Sequence, residues 1–186
     1  GRWLALHGSS GGRLAKPRAG EGRLRRMVRM PFHEVLGCQF LNHPPQRKML
    51  VSVAIGETGG SHALLEGLAE SFEVEDEPYL VQLTDESATR VLLTTRLSDD
   101  EATTRAVHGR GSAGVGGANF LYDAHPALRG TSDVLAVAYE KSHGRGSVVY
   151  IALGHCHSAA QRGRAFAGPW DAPAFRRLLH NALSRG

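Results

Sequence analysis

The sequence predicts a single α/β domain built on a parallel β-sheet, and three observations support this fold class. Residues 3–6 form a continuous apolar run, which is typical of a short strand covered on both faces. Residues 49–55 and 147–153 have the β-branched content and the length of further strands. From Pro173 onward the apolar side chains share one helical face, which predicts a helix that packs on the sheet. With 186 residues, 41% of them hydrophobic, the chain is long enough to bury one core.

A basic stretch follows the first strand. Residues 13–29 carry seven Lys or Arg side chains against one acidic residue, Glu21. The stretch lacks the interleaved aromatic residues that stack on nucleic-acid bases, and Leu24, Met27 and Val28 have helical spacing. We therefore expect an exposed helix face here and no nucleic-acid partner.

Short elements are predicted in the middle of the chain. Pro31 favours the first turn of a helix over residues 31–36, which Gly37 ends. The double proline at positions 44 and 45 holds His43 in an extended loop. Residues 72–83 change from alternating acidic and apolar residues to an apolar run, which predicts a strand, a loop and a second strand.

Two more strands and one long loop are predicted after residue 89. Residues 90–95 form one strand, and residues 134–139 are expected to pair with residues 147–153 as a hairpin at the sheet edge. Residues 108–119 are rich in glycine, whose ordering costs much conformational entropy, so we expect a mobile surface loop.

Composition restricts the class of protein and its partners. A net charge of +4 and a pI near 9.4 are mildly basic, too little by themselves to indicate nucleic-acid binding. Two cysteines, Cys38 and Cys156, and the lack of a long apolar run predict a soluble cytoplasmic protein with no membrane partner. The sequence assigns no cofactor, and it is compatible with a homo-oligomer.

The first candidate site is the turn after residues 3–6. His7 leads into Gly8-Ser9-Ser10-Gly11-Gly12, whose glycines allow sharp turning and leave backbone N–H groups free to bind. Ligands of open α/β sheets bind at the carboxyl ends of the strands, which is where this turn would lie. One alternative is an ordinary turn with a packed or solvated histidine. Another is a G-x-S-x-G serine hydrolase with Ser10 as nucleophile, which requires a helix immediately afterwards.

The second candidate site is His155-Cys156-His157, at the end of the last predicted strand. Two histidines two residues apart on extended backbone point to one face, an arrangement common in zinc sites. Two ligands are insufficient alone, so His7 or His43 with Asp76 or Glu77 would have to complete the site, and we assign no metal. The alternative is that His155 bonds the backbone while His157 is exposed. Cys156 would point to the opposite face, which argues against a cysteine-histidine dyad.

Acidic and aromatic residues supply further candidates. Asp76 or Glu77 is suited to accept hydrogen bonds from substrate hydroxyls or to act as a base. An exposed acidic face explains the same cluster equally well. Trp170 is suited to line a sugar, although packing at the edge of the domain is an equal alternative.

Four segments in order, residues 1–12, 40–44, 75–79 and 144–155, resemble the signature segments of the ThuA-like, trehalose-utilisation family. The resemblance covers most of the chain apart from about residues 103–119. It implies a flavodoxin-like parallel sheet flanked by helices, as in class I glutamine amidotransferases, without the amidotransferase cysteine. It also implies one domain over residues 1–186 that begins after the family's first strand and helix. The family's Asp-Glu-x-Tyr segment favours Glu77 and Tyr79 near the pocket, with Pro78 between them as a departure.

The resemblance implies a role in carbohydrate utilisation, with trehalose or a related sugar or keto-sugar as the small-molecule partner and no amidotransferase activity. We expect His7 and His155 as candidate catalytic acid and base, with Glu77 orienting a hydroxyl. A non-catalytic sugar-binding or interaction domain is the alternative, beside the serine hydrolase. The candidate substrate-binding residues are Ser9, His43, Asp76, Tyr79 and Trp170.

Overall fold

The computed structural model describes residues 1–15, 26–43, 46–54, 62–96 and 134–184. The glycine-rich segment 108–119 and the two prolines after His43 lie outside the described residues. The strands are β1 (Arg2–Leu6), β2 (Arg13–Ala15), β3 (Arg26–Val28), β4 (Cys38–Asn42), β5 (Arg47–Val53), β6 (Ser71–Asp76), β7 (Leu80–Leu83), β8 (Thr89–Arg96), β9 (Val134–His143) and β10 (Gly146–Ile151). The α-helices are α1 (Pro31–Leu36), α2 (Ala159–Arg162) and α3 (Pro173–Ser184), and 3-10 turns cover His7–Ser10, Ala63–Leu65 and Gly168–Asp171.

Six of these strands form one sheet in the order β1-β10-β9-β8-β5-β6. The prediction of an α/β domain is confirmed, but the flavodoxin-like parallel sheet is not, because the sheet is mostly antiparallel. Among the described strands only β1 and β10 pair in parallel, and the other four pairs of this sheet run antiparallel. Parallel neighbours need a crossover of a dozen or more residues, usually a helix. The two-residue turn between β9 and β10 leaves no room for such a crossover.

The predicted hairpin of β9 and β10 is confirmed, with Gly146 opposite His143 at its turn. Its predicted position at the sheet edge is wrong, because β1 lies beside β10 and β8 beside β9. The sequence does not reveal this position, since residues 3–6 and 147–153 are separated by most of the chain. The parallel contact between β1 and β10 is nevertheless the one part of the sheet with the predicted arrangement.

The predicted helix in the basic stretch is wrong over its described end. Residues 26–28 form β3, which pairs antiparallel with β2 and brings Leu14 opposite Met27. Three apolar residues at helical spacing are too few to distinguish a helix from a short strand. Pairing with β2 supplies backbone hydrogen bonds that an isolated helix of this length would not match.

Apolar residues on the two faces of the six-stranded sheet form two clusters. On one face α3 packs through Phe175 and Leu178 against strand residues that include Val149. On the other face Leu36 of α1 packs with Tyr150 and the pair of strands β4 and β7. The predicted helices α1 and α3 are thus confirmed, and each covers one face. Within the described ranges no helix has both the length and the apolar character needed to cross a bilayer.

The direction of the strands places several loops at one rim. Strands β1, β10, β8 and β6 run the same way, so their carboxyl ends share that rim. The sheet is curled, and β6 returns toward β10 although the two are separated in the strand order. At this junction Asp76 Oδ2 accepts a hydrogen bond of 2.7 Å from the N–H of Gly154.

Candidate functional site

His7 follows β1 directly and begins the 3-10 turn His7–Ser10. Its φ of +36° is left-handed, which residues other than glycine seldom adopt. The ring Nδ1 lies 2.8 Å from the carbonyl oxygen of Ala152. Because a carbonyl only accepts, Nδ1 carries the proton and Nε2 presents a lone pair. Nε2 is buried and finds no hydrogen-bond partner in the described part of the chain.

Two buried side chains hold the turn in place. The Tyr150 hydroxyl of β10 lies 3.0 Å from the carbonyl oxygen of His7 and 2.8 Å from Ser10 Oγ. His33 of α1 places Nε2 3.1 Å from the carbonyl oxygen of Ser10. The turn is therefore hydrogen-bonded to both β10 and α1, which fixes the orientation of the His7 ring.

The carboxylate of Glu77 lies at the centre of the site. Its Oε2 is 3.1 Å from His155 Nδ1, 3.8 Å from His43 Nδ1 and 3.9 Å from His7 Nε2. Its Oε1 is 3.8 Å from Nη1 of Arg162 in α2. Glu77 is only 5% exposed, so three imidazoles and a guanidinium surround a carboxylate that water reaches poorly.

Asp76 joins the segment that carries Glu77 to the segment that carries His155 by accepting hydrogen bonds from their backbone N–H groups. It is fully buried, and its Oδ1 accepts hydrogen bonds from the N–H groups of Glu77 at 2.7 Å and His155 at 3.2 Å. Its Oδ2 accepts from Gly154. These bonds make Asp76 a positioning residue for Glu77 and His155. The predicted contact of Asp76 with a substrate hydroxyl stays a prediction.

His43 and Tyr79 come from a second, two-stranded sheet of β4 and β7. His43 follows β4, and Tyr79 precedes β7. The Tyr79 ring centroid lies 3.9 Å from that of His7 and 5.6 Å from that of His43. The structure therefore brings His7, His43, Glu77, Tyr79 and His155 together, and their catalytic and substrate-binding roles stay predictions.

Burial controls the protonation of the two central histidines. It lowers the pKa of His7 to about 4, partly opposed by the Ala152 hydrogen bond. It lowers the pKa of His155 to about 4, and the neighbouring charges of His7 and Arg162 act in the same direction. Both rings are neutral at pH 7, so they are suited to accept a proton or bind a cation rather than to donate a proton.

Burial has the opposite effect on the two carboxyl groups. It raises the pKa of Glu77, although His43 and Arg162 partly oppose the shift. It raises the pKa of Asp76 to about 7 against the effect of the three backbone hydrogen bonds. A carboxyl with a raised pKa beside neutral imidazoles is a common arrangement for moving a proton.

The site also has the composition of a metal centre. One ligand atom each from His7, Glu77 and His155 lie within 4.8 Å of one another. His157 does not belong to this group, although its ring centroid is 5.6 Å from that of His155. A zinc site is therefore better matched by His155 with His7 and Glu77 than by the pair of His155 and His157.

The geometry argues against the serine hydrolase. Ser10 is fully buried, and its Oγ donates to the carbonyl oxygen of His7 at 3.2 Å while it lies against the Tyr150 hydroxyl. Strand β2 follows the turn instead of the helix that a nucleophile elbow requires. Ser10 therefore supports the turn and is not placed to attack a substrate.

Ser9 and Trp170 have structural partners at the same rim. Ser9 Oγ accepts a hydrogen bond of 3.2 Å from the N–H of Leu6, within the turn. Trp170 donates from Nε1 to the carbonyl oxygen of Gly154 at 3.0 Å, and its ring packs edge-on against Phe175. Trp170 remains 39% exposed, so both alternatives for it, edge packing and sugar contact, are compatible with its position.

Sequence reasoning missed three residues that shape the site. Arg162 approaches Glu77, Tyr150 holds the His7 turn, and His33 holds the same turn from α1. Arg162 lies five residues after the His155-Cys156-His157 segment, so its proximity along the chain was the available signal. The other two are buried residues of strand and helix patterns, and nothing in those patterns distinguishes them from ordinary core residues.

Comparisons with known proteins found one matching family model and similar solved structures. A family model described as ThuA, trehalose utilisation, matches residues 9–183. A ThuA-like protein of known structure from Bacteroides uniformis ATCC 8492 is 17% identical with a TM-score of 0.52, over 98% of this chain and 57% of that one. Another from Parabacteroides merdae ATCC 43184 is 14% identical with a TM-score of 0.49, over 97% of this chain and 58% of that one.

This chain spans less than two thirds of the length of either solved relative. No curated protein sequence matches it significantly. The similarity to the first relative shows the fold alone, whereas the family model extends over nearly all of the sequence. The chain belongs to the ThuA, trehalose utilisation, family.

Proposed function

We propose that this domain binds a sugar or keto-sugar at a rim pocket formed by His7, His43, Glu77, Tyr79 and His155, and that it moves a proton from one atom of the bound sugar to another. The single observation that supports this most strongly is the set of groups around Glu77. Three imidazoles lie within 4 Å of one buried carboxylate, and Nε2 of His7 and of His155 have no partner among the described residues. Buried polar atoms are normally paired, so these two nitrogens are available to a ligand.

The roles follow from the positions of the groups. His7 and His155 present lone pairs that accept a proton from a hydroxyl or from the carbon beside a carbonyl. Glu77 orients the hydroxyl between them. Tyr79 and the exposed part of Trp170 offer aromatic surface for the sugar ring, whose C–H groups pack on such faces. Family membership in trehalose utilisation supports a sugar as the ligand.

Calorimetry with trehalose, glucose and a keto derivative of trehalose tests binding, and NMR of the same mixtures detects a product. We expect saturable binding of at least one sugar, a binding loss of tenfold or more in the double variant His7→Asn with His155→Asn, and unchanged binding in His143→Asn. His143 is exposed at the β9–β10 turn, far along β9 from the rim. Equal binding by the wild type and the double variant would remove the pocket from consideration.

A non-catalytic sugar-binding domain is the second candidate. The observation that favours it is that burial lowers the pKa of His7 and of His155 to about 4, so neither ring is an imidazolium at pH 7 that could donate a proton. Saturable stabilisation by a sugar without any product would support this candidate. Release of a new sugar species in step with binding would support the enzyme instead.

A further inference from the structure

We propose that His7, Glu77 and His155 form a three-ligand site for a divalent transition-metal ion, with Zn²⁺ as the best match. Two imidazoles and one carboxylate are a frequent ligand set of catalytic zinc sites, which keep a further position open for water or substrate. Mg²⁺ and Ca²⁺ prefer shells made of oxygen, so this nitrogen-rich set does not suit them.

The spacing of the ligand atoms fits a zinc ion. Zinc binds nitrogen and oxygen at about 2.0–2.1 Å, so two ligand atoms of a tetrahedral site lie about 3.3 Å apart. The Glu77 Oε2 atom lies 3.1 Å from His155 Nδ1 and 3.9 Å from His7 Nε2. The observed distances fall on either side of the required one, and all three ligand atoms lie within 4.8 Å of one another. Side-chain rotations that move the ligand atoms closer by up to about 1.5 Å would bring all three to one ion.

The residues behind the ligands hold them in the orientation that a metal requires. Metal-binding histidines usually donate their other ring N–H to a backbone carbonyl or a carboxylate, which fixes the tautomer. His7 does this through Nδ1 to Ala152, so that Nε2 faces Glu77. Asp76 accepts from the backbone N–H groups of both other ligand residues, Glu77 and His155. The buried carboxylate of Asp76 thereby fixes the relative positions of Glu77 and His155, which follow different strands.

The unpartnered Nε2 of His7 supplies an independent reason to expect a ligand. Nε2 of His7 is buried without a hydrogen-bond partner within the described ranges, although the rest of its ring is well anchored. Leaving a buried polar atom unpaired destabilises a fold. A bound cation would remove that cost, because the lone pair of Nε2 is the atom that would coordinate it.

The use of such an ion deepens the proposed function and rests on it. An ion held by three protein ligands has an open position where a sugar hydroxyl or carbonyl oxygen binds. As a Lewis acid it lowers the pKa of a bound hydroxyl or polarises a bound carbonyl. Because His7 and His155 then bind the ion, they no longer accept the proton, and His43, whose Nδ1 lies 3.8 Å from Glu77 Oε2, takes that role.

The test uses the full chain, stripped with a chelator and titrated with Zn²⁺ in a calorimeter, with elemental analysis after dialysis. We expect about one bound ion per chain and a loss of affinity of at least tenfold in His7→Asn and in His155→Asn. Cys156→Ser is the matched control, because Cys156 adjoins His155 but is exposed and outside the ligand set. Its affinity should equal that of the wild type.

Substitution with Co²⁺ keeps the proposal testable if a variant does not fold. Bound to the wild type, Co²⁺ should produce the strong visible absorption of a four- or five-coordinate site with nitrogen and oxygen ligands, and Zn²⁺ should displace it. Weak octahedral absorption, no binding, or a metal affinity of both histidine variants equal to that of the wild type would overturn the metal site. Sugar binding measured on the same stripped and reloaded samples separates the two proposals. Zinc binding without any sugar binding contradicts only the proposed function, whereas sugar binding by the stripped protein with no zinc affinity contradicts only the metal site.

Discussion

The imidazole rings of His7 and His155 lie edge to face with their centroids 5.4 Å apart, although the two residues come from opposite ends of the chain. Their proximity follows from the parallel pairing of β1 with β10, which places Leu6 beside Ile151. Strands β1 and β10 end at the same rim. His7 follows β1 directly, and His155 follows β10 after a short extended segment. The site therefore depends on one strand pair for its two histidines and on β6 for its carboxylate.

The left-handed backbone of His7 predicts which substitutions the turn tolerates. Asn adopts positive φ readily, so His7→Asn should keep a free energy of unfolding within about 1 kcal/mol of the wild type. His7→Val places a β-branched residue there and should cost about 2 kcal/mol more, because such residues are strained at φ +36°. Urea denaturation measures both. Equal stability of the two variants would contradict the strain argument.

Asp76→Asn should destabilise the fold and loosen the site. An amide offers one acceptor oxygen and turns its NH₂ toward backbone N–H groups that Asp76 now satisfies, so we expect a loss of about 1–3 kcal/mol. Hydrogen exchange at the amides of Gly154 and His155 should become faster. Glu75→Gln, a change of the same type at an exposed neighbour, is the control and should have little effect on either measurement. An Asp76→Asn protein as stable as the control would show that these bonds are unimportant.

Glu140 predicts how stability changes in acid. Partial burial raises its pKa, but hydrogen bonds from Ser147 and His62 and the charge of Arg2 outweigh burial and hold the pKa below the usual 4.5. A carboxyl with a lowered pKa stabilises the fold above its unfolded-state value, and this contribution disappears as the pH falls through the folded-state value. Because the group is partly exposed, we expect only about 0.5 kcal/mol.

Comparison of the wild type with Glu140→Gln isolates that contribution. At pH 7 the wild type should be the more stable of the two by urea denaturation. As the pH falls below 4.5 and through the lowered folded-state pKa of Glu140, the difference should shrink, since the Glu140 carboxyl then becomes neutral like the amide of the variant. A difference that stays constant between pH 7 and pH 3 would mean that Glu140 acts through packing alone.

Gly154→Ala should lower the free energy of unfolding more than Gly163→Ala, a substitution at another glycine with positive φ. Gly154 has φ +136°, and a Cβ there would lie 3.3 Å from Cβ of His7. Gly163 has φ +76° with nothing within 4 Å of such a Cβ, so Gly163→Ala is the matched control. We expect about 1–3 kcal/mol of destabilisation for Gly154→Ala and less for Gly163→Ala, by thermal and urea unfolding. Similar losses at both positions would show that crowding against His7 has no role.

The residues that the sequence identifies well are those where a strand pattern ends in a reactive side chain. His7 and His155 each follow an apolar strand, and the carboxyl ends of parallel neighbours meet at one rim whatever the other strands do. The acidic cluster divides into exposed and buried residues. Alternation along β6 exposes Glu73 and Glu75 and buries Asp76. Glu77 follows the strand, so its burial among the histidines does not come from this alternation.

Strand direction and the basic stretch are predicted poorly, for identifiable reasons. Apolar runs report burial on both faces but not strand direction, so nothing in residues 90–95 shows that β8 runs antiparallel to both of its neighbours. The spacing of Met27 and Val28 fits a helix as well as it fits β3, and only the pairing with β2 decides between them. The backbone role of Asp76 was also hidden, since a carboxylate that accepts three N–H groups has the same sequence signature as one that faces solvent.

Because the sheet is curled, we expect the pocket to form only when the whole sheet has folded. Its histidines His7 and His155 follow β1 and β10, and its carboxylate, Glu77, follows β6 at the other end of the strand order, so we expect the intervening strands to pair before these groups meet. A refolding intermediate that lacks any one strand would hold secondary structure without a pocket. Ligand recognition should consequently reappear last during refolding, together with the slowest change in fluorescence and after most of the circular dichroism signal has returned.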